Sequence, residues 1–192
     1  INVLYNMVDR MYIGHIDQVG PDALTGVGVT MPIIMCISAF AALVSMGGAP
    51  QASILMGKGK PEEAEKILGN CTSMLLMIAL ALTVLFLGFG RPILLMFGAS
   101  EQTIPYAWAY MQIYVCGTVF VQMALGLNAF INAQGFARIG MMTVAIGAVC
   151  NIILDPVFIF GLHMGVRGAA LATVISQGVS CIWILRFLTG KK

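Results

Sequence analysis

The sequence predicts an all-α integral membrane protein, a bundle of six transmembrane helices of which the first is truncated. Hydrophobic residues make up 59% of the chain and charged residues 9%, whereas about a quarter of a typical soluble domain is charged. Long apolar windows recur between clusters of charge, as expected for helices that cross a bilayer. A β-barrel would instead show short segments of alternating polarity. The composition therefore excludes a soluble fold and argues against a barrel.

The helices can be placed in order along the chain. The first, Asn2–Gly14, is shorter than the roughly 20 residues that a bilayer core requires. Because the chain also lacks an initiator Met, we expect a piece of a longer protein. Five apolar windows follow, at 29–57, 67–90, 102–137, 139–161 and 168–185. The third of them exceeds one crossing at about 1.5 Å per residue, so we expect a turn near 132–135.

Prolines and glycines mark the expected bends and ends of these helices. The segment 57–66 (GKGKPEEAEK) predicts a tight turn and then a helix, with Pro61 at the first helical position and acids in the first turn. Pro32, Pro50 and Pro156 are candidate kinks, because each proline removes a helix hydrogen bond. We therefore expect several bent spans.

The basic residues predict the orientation in the membrane. Short loops rich in Lys and Arg stay in the cytoplasm, and alternate connections differ in this respect. One side carries seven basic residues, namely Lys58, Lys60, Lys66, Arg138, Arg186, Lys191 and Lys192. The other side carries Arg91 and Arg167. This bias predicts a multi-pass protein of the cell (inner or plasma) membrane whose N-terminus and C-terminal tail are cytoplasmic.

Other classes of site find little support. A net charge of +2 without a basic run predicts no nucleic-acid partner. Five cysteines lie singly in apolar stretches without a CxxC pair, so we expect small buried side chains and neither a disulfide nor a metal cluster. His15 and His163 lie near span ends, which favours an interfacial role over metal binding. We expect no cofactor.

Asp9 is the first candidate functional residue. An ionised carboxylate at membrane depth costs several kcal/mol, so it suggests function by default. Tyr5 precedes it by one helical turn and shares its face, whereas Arg10 points about 100° away on a helix. A position in the headgroup region, or a structural ion pair, is the alternative.

Asp155 is the second candidate, and Asn151 precedes it by one helical turn. The pair offers a carboxylate and an amide carbonyl, which are hard oxygen ligands suited to Na⁺ or to a transferable proton. Pro156 follows directly and frees a backbone carbonyl about one turn earlier. The alternative is a purely structural kink with a satisfied carboxyl.

Three segments together resemble a known family. They are 4–14 (LYNMVDRMYIG), 151–161 (NIILDPVFIFG) and 165–177 (GVRGAALATVISQ), supported by 57–60 (GKGK) and 132–138 (NAQGFAR). They are similar in sequence, order and spacing to the first, fifth and sixth helices of the multidrug and toxic compound extrusion (MATE) transporters. The resemblance implies a twelve-helix fold of two lobes, of which residues 1–192 would be the N-terminal transmembrane lobe without the C-terminal lobe.

The resemblance also implies roles for individual residues. Asp9, Asn151, Asp155 and Thr173 match the cation site of the family's N-terminal lobe, at which Na⁺ or H⁺ would bind. Tyr5, Tyr110 and Asn128 match polar positions around the substrate cavity. The implied activity is antiport, not enzymatic catalysis: small amphipathic organic compounds, often cationic, are exported in exchange for Na⁺ or H⁺. The implied partners are the lipid bilayer, such substrates, and the C-terminal lobe of the same polypeptide.

Three other functions agree less well with the sequence. A lipid-linked oligosaccharide or lipid flippase of the same superfamily would share the helix count but favour a basic cavity, and Arg10 is the one base expected at depth. An intramembrane aspartyl protease would also use two acids, but the sequence lacks its Gly-x-Gly-Asp motif. A channel would need a filter repeat or a pore-lining ring, and neither is visible.

Overall fold

The computed structural model describes residues 2–16 and 20–190, with side chains from Met7 onward. Tyr5 has a described backbone but its side chain lies outside the described part, as does Asp17. Within that part the chain forms eight α-helices and one π-helical segment. Their bounds are α1 Asn2–Gly14, α2 Gly20–Val29, α3 Met31–Gly57, α4 Pro61–Met96, α5 Ile104–Cys116, α6 Thr118–Ala133, α7 Ala137–Pro156, the π segment Val157–Gly161 and α8 Val166–Thr189.

These helices group into the expected membrane spans. Four continuous spans are long and apolar enough to cross a bilayer, at Gly20–Gly57, Pro61–Met96, Ala137–Gly161 and Val166–Thr189. A fifth is the bent pair α5 and α6, whose axes differ by 58°. Together with the short α1, they give the six helices predicted from the sequence, and the all-α membrane fold is confirmed.

The observed breaks have local causes. Thr30 separates α2 from α3, and its hydroxyl donates to the Val27 carbonyl at 2.7 Å. Pro32 then lies in the first turn of α3, where a missing N–H costs nothing. The second span begins at Gly20, earlier than the apolar window 29–57, because α2 lengthens it at the N-terminal end. Pro50 lies inside α3, which continues to Gly57.

The later breaks have both local and tertiary causes. Gly117 forms the bend between α5 and α6, where an added Cβ would collide with Val174 of α8, so close helix packing requires glycine there. The turn predicted near 132–135 lies between α6 and α7, with Gly135 at φ 86°. Pro61 begins α4, as predicted. After Pro156 the helix widens into the π segment, a form often found at functional sites.

The interior has two apolar clusters and a set of buried polar side chains. One cluster includes Ile37, Met111 and Ile159, and the other includes Leu75, Phe130 and Ile184. The buried polar residues include Asp9, Gln122, Thr143, Asn151, Asp155, Ser176 and Ser180. Because each unsatisfied polar group inside a membrane is costly, these buried polar residues are candidates for function.

The outer surface is apolar. On α4, Met77, Leu80 and Val84 are each more than 60% exposed, as expected for side chains that face lipid rather than water. All five cysteines are free. Cys71 and Cys181 are buried and Cys150 is half-buried, but Cys36 and Cys116 are exposed. The expectation of small buried side chains is wrong for these two, because an apolar side chain can face lipid as readily as the interior.

Candidate cation site and central cleft

Four of the residues singled out in the sequence come together in the interior. α1 contributes Asp9, α7 contributes Asn151 and Asp155 one turn apart, and α8 contributes Thr173. α1 packs against α7, and α7 packs against α8 along much of its length. Residues separated by more than 160 positions in the sequence are thereby brought to one place, which we call the candidate cation site.

The hydrogen bonds of the site connect α7 to α8. The Asn151 amide nitrogen (Nδ2) donates to Oδ1 of Asp155 at 3.2 Å and to the Thr173 hydroxyl at 3.4 Å. The Thr173 hydroxyl in turn donates to the Ala169 carbonyl at 3.0 Å. This network fixes the orientation of the amide and directs its carbonyl oxygen away from both partners.

Burial leaves several oxygens of the site without donors. Asp155 is fully buried, Asn151 is 2% exposed and Asp9 is 7% exposed. Oδ1 of Asp9, Oδ1 of Asn151 and Oδ2 of Asp155 accept no hydrogen bond from the described residues. The carboxyl groups of Asp9 and Asp155 interact directly. Two adjacent buried carboxylates repel each other strongly, so this arrangement favours a bound positive charge.

The donor set suits a hard monovalent cation or a proton. The site offers two carboxyls, one amide oxygen and one hydroxyl, all of them oxygen ligands. Among the described residues, no three His, Cys, Asp or Glu side chains converge as a transition-metal site would require. His15 and His163 lie elsewhere, at the end of α1 and in the turn before α8.

A central cleft of about 600 Å³ opens beside the site. Asp9 and Thr173 belong to both, so the cleft and the candidate cation site share a wall. Tyr110 lines the cleft and stacks on Tyr114, with ring centroids 6.1 Å apart. Other lining side chains are Met7, Arg10, Met31, Met35 and Gln177.

A smaller polar pocket of about 60 Å³ lies between α6, α7 and α8. Asn128 lines this polar pocket rather than the central cleft, and Asn151, Thr173 and Gln177 also belong to it. Sequence reasoning missed Tyr114, Gln177, Thr143 and Ser180 as lining residues. The stacked pair could have been found from its spacing of one helical turn, but the others carry no signal until α6, α7 and α8 are packed.

Comparison with known proteins identifies the family. The MatE family model matches residues 1–157. The chain belongs to the MatE family. The resemblance expected from the three sequence segments is thus confirmed, and so is a multi-pass membrane protein.

Curated relatives are transporters. The chain is 30% identical over 191 residues to the multidrug export protein MepA of Staphylococcus haemolyticus, covering 100% of this chain and 42% of that protein. It is 27% identical over 176 residues to the FAD transporter of Shewanella oneidensis, covering 90% of this chain and 38% of that protein. Both relatives are named for export or transport.

The fold of this MatE chain also matches solved structures. One is a multidrug resistance MATE transporter of the MOP superfamily in an inward-facing conformation, with a TM-score of 0.93 and 27% identity. The match covers 100% of this chain and 43% of that one. The chain thus spans about two-fifths of the length of the relatives it matches. Its assignment as the N-terminal lobe stays a prediction.

Proposed function

We propose that this chain forms one lobe of an antiporter that exports organic compounds in exchange for Na⁺ or H⁺. The observation that carries the proposal is the pair of buried, interacting carboxyls of Asp9 and Asp155. The candidate cation site, formed by Asp9, Asn151, Asp155 and Thr173, would bind the coupling ion.

The energetics of the site support cation binding. Bringing an ionised carboxylate out of water costs several kcal/mol even after relaxation, and a second one beside it adds repulsion. A proton or Na⁺ at the site removes most of that cost. The unpartnered oxygens of Asp9, Asn151 and Asp155 would then find a partner. Protonation and Na⁺ binding achieve the same neutralisation, so the proposal includes both ions.

The positions of the ligands explain how binding could couple to transport. Asp9 is on α1, whereas Asn151 and Asp155 are on α7 and are held to α8 by the Asn151–Thr173 hydrogen bond. A cation between the two carboxyls attracts α1 to α7, and its loss leaves them repelling each other. Because the ion then has different affinities for the two helix arrangements, its gradient can shift their equilibrium.

The central cleft supports an organic substrate. Its volume of about 600 Å³ lies in the range of small-molecule sites, roughly 300–1,000 Å³. Met7, Met31 and Met35 supply flexible apolar side chains, a feature of promiscuous binding surfaces. The stacked Tyr110 and Tyr114 supply a flat aromatic surface. Since Asp9 lines both the cleft and the cation site, substrate and ion would compete for its charge.

The charge of the cleft argues against a lipid or lipid-linked oligosaccharide flippase. Such a carrier would favour a basic cavity, but among the described residues that line the cleft, Arg10 is the single base and Asp9 the single acid. The names of two relatives, a multidrug export protein and an FAD transporter, support organic compounds as substrates. Under this proposal the ends of α7 and α8 that carry Arg138 and Arg186 face the cytoplasm.

The test measures efflux in proteoliposomes that contain the full-length protein, under separate Na⁺ and H⁺ gradients. Breaking a buried charge pair costs about 3–5 kcal/mol, which corresponds to roughly 10²–10³-fold weaker ion binding. Asp9→Asn and Asp155→Asn should therefore abolish gradient-driven efflux while leaving the fold intact. Asp22→Asn, at an exposed position in the first turn of α2, is the matched control. Unchanged efflux in both site variants would refute the assignment.

A further inference from the structure

The polar pocket extends the candidate cation site away from the central cleft. It has a volume of about 60 Å³, whereas one water needs only about 10–15 Å³ measured in this way. Two buried amide oxygens that line it, Oδ1 of Asn128 and Oδ1 of Asn151, accept no hydrogen bond from the described residues. Asn151 is 2% exposed, so its oxygen is removed from bulk solvent. The pocket is therefore large enough to hold water beside the side chains of Asn128 and Asn151.

The pocket is elongated along α7 and α8. It runs along α7 from Asn151 to Thr143, two helical turns or about 12 Å at 1.5 Å per residue. On α8 it runs from Thr173 through Ser176 to Ser180. Ser180 donates to the Thr143 carbonyl at 3.2 Å, which joins the two helices at that end. The path therefore leads from the candidate cation site toward the helix ends that carry Arg138 and Arg186.

That end of the pocket is closed by close packing. The Asn128 amide donates to the Gly140 carbonyl at 3.4 Å. The Asn132 side chain lies against Gly140, where no Cβ would fit. Midway along, Gly147 faces the Ser180 hydroxyl, and a Cβ there would lie 2.6 Å from the Ser180 oxygen. Glycine at 147 thus allows the close approach of α7 to Ser180 on α8.

We infer that the polar pocket is a hydrated passage that takes the coupling cation from the candidate cation site toward the basic, cytoplasmic end of α6, α7 and α8. The inference rests on the proposed function. Its ligand is a partly hydrated monovalent cation, held by amide and hydroxyl oxygens. The pocket adjoins the central cleft at Leu125, Thr173 and Gln177. From there it continues along α7 and α8 toward Thr143 and Ser180, so the cation would follow a path that extends beyond the cleft that serves the organic substrate.

Access of a small cation tests the passage directly. The full-length protein is made free of native cysteines, Ser180→Cys is introduced, and Ag⁺ is added to the cytoplasmic face of inside-out vesicles. Ag⁺ replaces the thiol proton, and the protected fraction is measured by alkylation after denaturation. Ser45→Cys is the control, because both serines are buried (4% and 6% exposed) and both hydroxyls donate to a backbone carbonyl, but Ser45 lies on α3.

We expect Ag⁺ to react with position 180 at least tenfold faster than with position 45, and faster from the cytoplasmic face than from the other. Equal rates at the two positions, or faster reaction from the opposite face, would overturn the inference. Because this measurement needs no transport, its result is independent of whether the proposed exchange occurs. A wild-type protein without ion-driven efflux would instead overturn the proposed function.

A second pair of variants tests the role of the passage in transport. Thr143 and Thr72 both donate to the carbonyl four residues earlier, at 3.0 Å and 2.8 Å, but only Thr143 lines the polar pocket. Thr143→Val should lower the maximal efflux rate at least fivefold and leave the cation concentration for half-maximal rate unchanged. Thr72→Val should transport like the wild type. Equal rates in the two variants would contradict a role of the passage in transport.

Discussion

Gly168 gives the sharpest test of how helix packing positions the candidate cation site. It lies in the first turn of α8, against the π segment that follows Asp155. An added Cβ would lie 2.7 Å from the carbonyl carbon and oxygen of Phe158 and 3.0 Å from the Ile159 nitrogen. These are backbone atoms, so no rotamer change can relieve the contact. Gly168→Ala must therefore displace α8 from the π segment.

The expected magnitude follows from two opposed effects. Overpacking of a tight interior contact costs about 1–3 kcal/mol, whereas replacing glycine by alanine in a helix gains at most about 1 kcal/mol. We expect a net loss of up to about 2 kcal/mol. Gly178→Ala is the matched control on the same helix, since its Cβ would lie 3.9 Å from the Phe120 ring in ordinary contact. It should keep the full helix gain.

The assay is thermal unfolding in detergent, with and without added Na⁺ or at different pH. Gly168→Ala should unfold at a lower temperature than the wild type, and Gly178→Ala at the same temperature or higher. Displacement of α8 also lengthens the Asn151–Thr173 hydrogen bond, which is already 3.4 Å, so stabilisation by the ion should shrink in Gly168→Ala. If Gly168→Ala unfolds at or above the temperature of the control, the packing argument is wrong.

Three further outcomes are expected. Thr173→Val removes one neutral oxygen ligand and should raise the cation concentration for half-maximal efflux about tenfold, or about 1.4 kcal/mol. The control Thr72→Val should leave this concentration unchanged. A wild-type concentration dependence in Thr173→Val would exclude Thr173 as a ligand. Arg10→Gln should weaken the inhibition of efflux by competing anionic aromatic compounds more than the inhibition by cationic ones. An equal effect on both would show that Arg10 does not select the substrate. Gln122→Met loses the 2.7 Å hydrogen bond to the Ile37 carbonyl and should lower the free energy of unfolding by about 1 kcal/mol. A decrease of more than about 3 kcal/mol would show that Gln122 belongs to a larger network than this bond.

Local patterns in the sequence were sufficient to predict the membrane spans and, within the candidate cation site, the shared helix face of Asn151 and Asp155. Apolar length predicts membrane helices because a bilayer has a fixed thickness. The spacing of Asn151 and Asp155 predicts a shared face because residues four apart are neighbours on any α-helix. The turn before Pro61 followed from glycine and proline chemistry that acts within a few residues.

Features that depend on how helices pack could not be read in this way. Nothing local predicts that Asp9 on α1 meets Asp155 on α7, and only the family resemblance suggested that Thr173 joins them. The breaks at Thr30 and Gly117 were also missed, since the need for glycine at 117 comes from Val174 on another helix.

The two aspartates show which features follow from the sequence and which follow only from the tertiary structure. The sequence by itself determined that each is an acid within an apolar span, with Asn151 one turn before Asp155. Only the tertiary structure decided that their carboxyls interact, that their unpartnered oxygens are buried, and that Asp9 lines a cleft while Asn151 lines a neighbouring polar pocket. The physical reason is that spacing along a helix fixes which side chains share a face, whereas close contacts between helices fix which faces meet.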